Sequence, residues 1–145
     1  MNRFFEYSTQ HPCLVAAAAI LAILAIVIEI RERAKGSSML GTADAVRAAN
    51  GGALMLDVRD TADYEAGHII DARSIPAKEV AGKADSLKRY KEKPVVLYCE
   101  TGFASGAAAK ALKALGFTKV ATLRGGLKNW RQENLPLVKG TAKKG

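Results

Sequence analysis

Pro94-Val95-Val96-Leu97-Tyr98-Cys99-Glu100-Thr101-Gly102-Phe103-Ala104-Ser105 is the stretch that decides the fold. Its first five residues form the clearest strand in the chain, a continuous apolar run of the kind that is covered on both faces. Cys99 stands at the C-terminal end of that strand. Ser105 to Leu115 then reads as a helix, with Ala108, Ala111, Leu112 and Leu115 recurring on one face and Gly116 placed as its C′ residue. A strand, a short loop and a helix in that order form half of a parallel crossover unit.

The same alternation extends in both directions. Upstream, Thr42 is expected to cap a helix from Ala43 to Ala49, stopped by Asn50-Gly51-Gly52. Ala53-Leu54-Met55-Leu56 is a second apolar run, ending at Asp57. Asp60 to Ala66 makes a helical turn or two closed by Gly67, and Ala72 to Pro76 a brief strand ended by proline. Residues 77–90 alternate small and charged side chains, which gives one or two short helices anchored by Leu87 and Tyr90. Downstream, Lys119 to Leu123 is a further strand. Gly125-Gly126 turns the chain into a last helix carrying Leu127 and Trp130, and Leu135-Pro136-Leu137 closes the ordered part. The class is α/β, a mainly parallel sheet with helices on both faces.

The loop after the central strand carries the chemistry. In open α/β sheets, ligands bind beyond the carboxyl ends of the strands. Gly102 permits a tight turn, and Thr101, Ser105 and the loop amides can face inward to form an anion-binding nest that opens into a helix N-terminus. Such surroundings lower a cysteine pKa from its free value of about 8.5. The species held would be a thiolate, a persulfide or an oxyanion. The plain alternative is a cysteine that only fills space at the exit of a core strand.

The N-terminal region cannot belong to this domain. Cys13 to Ile28 holds no charged residue, and Pro12 to Ile30 extends the run to nineteen residues with only Glu29 near its end. At about 1.5 Å per residue that is roughly 28 Å of helix, close to the hydrocarbon thickness of a bilayer. A core helix apolar on every face would need a larger protein around it. A cleaved signal peptide would need a small-x-small site, and the run is followed instead by Glu29-Ile30-Arg31-Glu32-Arg33. Residues 12–30 are therefore expected to be a single uncleaved transmembrane helix. Residues 1–11 form a short tail before it and residues 31–37 a linker after it. The domain takes residues 38–137, and residues 138–145 form a basic tail. Arg3 alone stands before the helix, whereas Arg31, Arg33 and Lys35 follow it. The positive-inside rule then places the N-terminus outside and the domain in the cytoplasm, at an inner (plasma) membrane.

Charge narrows the partners. Residues 31–145 keep all but one of the 22 lysines and arginines and all but two of the 14 acidic residues, leaving that part at +9. A basic domain beside an anionic leaflet is drawn to the bilayer, and Lys139, Lys143 and Lys144 add to this. The charges are scattered, without a basic run or interleaved aromatics, so nucleic acid is not expected as a partner. Ala18, Ala22 and Ala25 fall on one face of the anchor, where small residues allow contact with another membrane protein. Cys13 and Cys99 lie too far apart in character and sequence to form an internal disulfide. His68 and Cys99 alone cannot assemble a metal site, and no cofactor is implied.

Four blocks in order resemble the rhodanese-like, single-domain sulfurtransferase family over roughly residues 38–137. They are Leu56-Asp57-Val58-Arg59, then Tyr64 to Ile69 with Ala72, then Cys99 to Ser105, then Leu123-Arg124-Gly125-Gly126 with Trp130 and Leu135-Pro136. The resemblance implies a parallel sheet of about five strands flanked by helices. It implies that Cys99 takes a sulfane sulfur, becomes a persulfide and passes the sulfur to a thiol or cyanide-type acceptor. Glu100, Thr101, Gly102, Phe103, Ala104 and Ser105 would form the substrate-binding loop. Asp57, Arg59 and His68 are expected to support the loops through hydrogen bonds and ion pairs; an acid/base set is their other reading. The family often has arginine where this chain has Ala104, and a basic residue where it has Glu100. Both departures remove positive charge, which disfavours thiosulfate as donor. A cysteine phosphatase would need a loop arginine and a longer loop, and neither Ala104 nor Ser105 supplies a guanidinium. A membrane-tethered module that binds a protein partner, with weak or no catalysis, is the competing function.

Overall fold

The computed structural model describes residues 11–35 and 38–141. The tail residues Arg3 and Glu6, the linker residues Gly36 and Ser37, and Lys143 and Lys144 lie outside the described residues. The apolar helix and the α/β part are separate compact units.

Helix α1 spans Pro12–Lys35. Its segment Pro12–Arg31 is long and apolar enough to cross a membrane. Residues 31–35, expected as linker, continue the helix; nothing in Arg31-Glu32-Arg33-Ala34-Lys35 breaks one, and the first glycine is Gly36.

The second unit contains five parallel strands: β1 Ser38–Leu40, β2 Leu54–Asp57, β3 Arg73–Ser74, β4 Val95–Tyr98 and β5 Val120–Leu123, in the spatial order β1-β5-β4-β2-β3. Helices α2 Thr42–Asn50, α3 Thr61–Ala66, α4 Val80–Lys83 and α5 Phe103–Ala114 connect them, with 3₁₀ turns at Ala77–Glu79 and Ala84–Tyr90, and α6 Gly126–Gln132 follows β5. The alternating period of the strands sorts the core into two layers. Leu54, Leu56, Val95 and Leu97 face α4 and α5, where Val80, Leu87, Ala108, Ala109 and Leu112 cover them. Met55, Val96, Tyr98 and Leu123 face the other way, against Ala45, Tyr64, Leu127 and Trp130. Each fully buried side chain of this size contributes roughly 1.5–3 kcal/mol. Cys99, two residues beyond Leu97, keeps that strand's parity and joins the α5 layer.

Several local expectations need correction. Gly41, not Thr42, is the N-cap of α2; Thr42 is the first helical residue, and its hydroxyl donates to Glu133 Oε2 at 2.5 Å. Helix α5 begins at Phe103, two residues before the expected start. The helix ends at Ala114, so Leu115 is its C-cap and is exposed, and the buried stripe is Ser105, Ala108, Ala109 and Leu112. With the backbone of Leu115 already out of helical geometry, its side chain no longer follows that stripe. Val80, fully buried, anchors residues 77–90 together with Leu87. The chain is also ordered past Leu137: Val138 and His68 exchange backbone hydrogen bonds of 2.8 Å, and Gly140 N–H donates to Glu65 O at 3.1 Å. The start of the expected basic tail therefore packs on the domain.

Candidate active site

The topology prepares one crevice. The chain leaving β2 departs to β3 on one side, and the chain leaving β4 departs to β5 on the other. The two loops separate between the C-terminal ends of β2 and β4, and that is where an open α/β sheet leaves room for a ligand. Arg59 follows β2 and Cys99 follows β4. Both line a cleft of about 470 Å³ together with Val58, Asp60, Lys78 and Glu100.

The loop folds around the Cys99 sulfur. Gly102 adopts φ +98°, which a side chain resists, and thereby turns its N–H onto Cys99 Sγ at 2.9 Å. Ser105, fully buried in the first turn of α5, places its hydroxyl oxygen 3.6 Å from the sulfur and donates to Gly102 O at 3.0 Å. Burial pushes the Cys99 thiol up. The Ser105 N–H and hydroxyl, with the N–H groups of Gly102 and Thr101, outweigh it, and the thiol is held below its ordinary value. Cys99 is only 4% exposed, so the sulfur is approached through the cleft rather than from open surface. Thr101 is itself exposed and serves the sulfur through its backbone N–H, not by an inward hydroxyl.

A backbone clamp holds this loop from behind. Leu127 N–H donates to Cys99 O at 2.8 Å and Lys128 N–H to Glu100 O at 3.1 Å. The approach is so close that a Cβ on Gly126 would stand 2.5 Å from Cys99 O. Arg124-Gly125-Gly126 is visible in the sequence as a turn, but this contact spans more than twenty residues and only the fold reveals it. Arg131, on the same helix, ion-pairs with Glu100, which also meets Arg59 Nη1 at 3.5 Å.

Asp57 and Arg59 form a buried two-pronged pair. Arg59 Nε donates to Asp57 Oδ1 at 3.0 Å and Nη2 to Oδ2 at 2.6 Å, while Nη2 also donates to Gly67 O at 2.7 Å. Burial lowers the guanidinium's affinity for its proton, but Asp57 more than offsets it and the net shift is upward. Burial and then Asp57 push the Tyr98 hydroxyl up, so it remains protonated, and it accepts from Ile69 N–H at 3.1 Å. His68 belongs elsewhere. Its Nδ1 lies 2.8 Å from Tyr64 O, its ring stacks on Tyr64 at 3.7 Å, and it lines a different cleft with Ile70, Arg73 and Val138. The structure thus brings Arg59, Cys99 and residues 100–105 together and leaves His68 apart from the sulfur. Ala104 lines the cleft as a small apolar wall.

The sequence model of the rhodanese-like domain matches residues 42–133. The chain belongs to the rhodanese-like family. Among its relatives, the Escherichia coli K12 protein YibN, named as uncharacterized, is 29% identical over 142 residues, covering 97% of this chain and 99% of the relative. The probable adenylyltransferase/sulfurtransferase MoeZ of Mycobacterium tuberculosis is 33% identical over 82 residues, 57% of this chain and 21% of MoeZ. Among solved structures, a rhodanese-related protein from Thermoplasma volcanium superposes with a TM-score of 0.65 at 27% identity, over 71% of this chain and 99% of that one. The family's relatives include sulfurtransferases, and this chain has the rhodanese fold, a five-stranded parallel sheet flanked by helices.

Proposed function

We propose that this protein is a membrane-anchored sulfurtransferase that moves sulfane sulfur through a Cys99 persulfide. The observation that carries the reading is the Gly102 N–H at 2.9 Å from Cys99 Sγ, joined by Ser105, in a loop that favours the sulfur anion. In the first step the Cys99 thiolate attacks the sulfane sulfur of a donor. The donor's S–S bond breaks and the donor leaves with the electron pair. In the second, an acceptor thiolate or cyanide takes the outer sulfur, and Cys99 departs as thiolate. The loop amides that stabilise the thiolate are placed to stabilise the persulfide anion as well. MoeZ, whose name includes sulfurtransferase, supports the reading by similarity.

Helix α1 serves in this reading as the single-pass anchor at the inner membrane, with the N-terminus outside and the domain in the cytoplasm. Its support is the length and apolarity of Pro12–Arg31 and the basic flank after it. Ala18, Ala22 and Ala25 leave room for a neighbouring membrane protein. The YibN match, which covers 97% of this chain, runs through that segment. Protease added to spheroplasts should spare the domain until the membrane is lysed; digestion without lysis would reverse the orientation.

A binding module with little turnover is the second reading. Glu100 occupies Arg131 and meets Arg59, so the loop rim offers no free guanidinium to an anionic donor. Intact mass spectrometry of the full chain, after exposure to thiosulfate and to a low-molecular-weight persulfide, separates the two. A gain of one sulfur atom on Cys99, lost to added thiol, is expected of the transferase. No gain from any donor would leave the binding module.

A further inference from the structure

Strand β1 joins the sheet level with its chemical end. Its register sets Met39 beside Thr122 of β5, which aligns in turn with Leu97 of β4, two residues before Cys99. The chain therefore enters the domain near the carboxyl ends of the strands, where the Cys99 cleft opens. Gly36 and Ser37 alone separate Lys35, the end of α1, from β1. At no more than about 3.6 Å per residue, the four steps from Lys35 to Met39 reach roughly 14 Å. Arg31 to Lys35 adds about 6 Å of helix beyond the apolar span. Chain length alone thus keeps Met39 within about 20 Å of the hydrocarbon edge of a bilayer that α1 crosses, and the headgroup layer occupies about 5–7 Å of that.

The surface at that edge suits a bilayer interface. Phe103 is 91% exposed and Met39 61% exposed, and both line a groove of about 390 Å³ between β1 and the first half of α5. Gly106 and Ala107 keep the groove open, and among the described residues lining it only Lys110, which is exposed, carries a charge. An aromatic ring, a flexible thioether and an ammonium on an apolar stem settle together at headgroup level, the apolar groups towards the acyl chains and the cation against anionic phosphates. The carboxylates near the site stand elsewhere. Asp60 and Asp63 follow β2 and line the Cys99 cleft with Lys78, and Glu100 is paired with Arg131. Strands β5 and β4 separate β1 from β2, so a domain resting on its β1 edge keeps Asp60 and Asp63 towards water.

We propose that the Phe103–Met39 edge of the domain docks on the anionic bilayer that α1 spans and holds the mouth of the Cys99 cleft at the membrane surface. The inference rests on the anchor reading of α1 and not on sulfur transfer. Two apolar side chains and one lysine bind a bilayer weakly from solution. The tether makes the docking intramolecular, so little affinity is needed. The net charge of +9 over residues 31–145 favours an anionic leaflet, and Lys110 directs that attraction to this edge. Phe103 walls the groove and the Cys99 cleft alike. Seating its ring among lipid headgroups turns one wall of the cleft into membrane interface and leaves the Asp60–Asp63 side open to water.

Phe103→Trp reads the docking by fluorescence, in the full chain reconstituted into vesicles of equal parts phosphatidylcholine and phosphatidylglycerol. Bromine on the acyl chains, close to the headgroups, is the quencher. The unsubstituted chain supplies the background of Trp130, its single tryptophan. The comparison is Ile70→Trp, a position that is 60% exposed and precedes β3, the opposite edge of the sheet. The emission added by Phe103→Trp should be quenched several-fold more than that added by Ile70→Trp. Combining Phe103→Trp with Met39→Ser and Lys110→Glu should bring the quenching down to the Ile70→Trp level, and vesicles of phosphatidylcholine alone should lower it. Equal quenching at the two positions, in chains that stay with the vesicles through alkaline carbonate, overturns the docking, leaves the anchor in place and frees the exposed ring for a protein partner. Release of the chain by carbonate overturns the anchor reading and the docking with it. No arm depends on sulfur at Cys99, so failure of the transfer reading leaves the result untouched.

Discussion

Seven residues, Cys99 to Ser105, contain two regions built on different principles. The floor is backbone and one hydroxyl: the Gly102 and Thr101 amides and Ser105 converge on the sulfur, and the amides of Leu127 and Lys128 pin the loop from behind. The rim is side chain: Glu100 spans to Arg131 and Arg59, Phe103 stands in solvent, and Ala104 forms a wall. The floor needs only glycine, a small hydroxyl and a helix N-terminus, so it stabilises whatever anion the sulfur becomes. The rim decides which molecule reaches it.

Substitutions separate the two regions. Cys99→Ser should abolish sulfur uptake altogether, and residual loading in a folded protein would move the chemistry to another group. Gly126→Ala should be the most damaging change to stability among the loop contacts. Its φ of +61° resists a side chain and the new Cβ would meet the Cys99 carbonyl. A loss of about 2 kcal/mol or more is expected in urea unfolding, from left-handed strain alone. Unchanged stability would show that the clamp yields without cost. Ser105→Ala removes the hydroxyl that donates to Gly102 O and accepts from the Cys99 thiol, and that turns to the sulfur once the thiol proton is gone. A hydrogen bond to a charged group contributes about 1.5–3 kcal/mol, so the alkylation midpoint should rise by about one to two pH units. A midpoint that does not move would assign the stabilisation to the amides alone. Ala104→Arg acts on the rim: it should lower the Michaelis constant for thiosulfate several-fold, and any shift it brings to the thiol midpoint should be downward. No improvement in a folded variant would count against charge as the barrier to that donor.

The floor was largely legible in the sequence because its requirements are local. A strand end, a cysteine, a glycine three residues on and a helix start all fall within one short segment. The α/β class followed from alternation, since Val95 to Tyr98 is a continuous apolar run and Val120 to Leu123 is interrupted only by Thr122. Strand β1 escaped because three residues, Ser38 to Leu40, carry no period, and two of them are exposed at the sheet edge. Leu115, off the buried stripe, was not legible as such because helical spacing says which residues share a face, not where the helix ends. The packing of Val138 on His68 depends on an antiparallel bridge seventy residues apart in the chain, and no local pattern signals it. The Gly126 clamp is of the same kind: the glycine pair reads as a turn, while its contact with Cys99 O belongs to the assembled sheet. Rim partners such as Glu100 with Arg131 join two charges that the sequence shows only as scattered.

The loop's claim to be an anion holder is tested most directly by the rate of Cys99 alkylation as a function of pH, measured on the full chain in non-ionic detergent with Cys13→Ser. A lowered thiol pKa means that the reactive thiolate is already dominant at a pH where a free thiol is still mainly protonated. The rate should rise through a midpoint below about 8.5, the value of free cysteine, and be level above it. A midpoint at or above that value would mean that burial outweighs the amides and Ser105, and that the loop does not hold the sulfur as an anion.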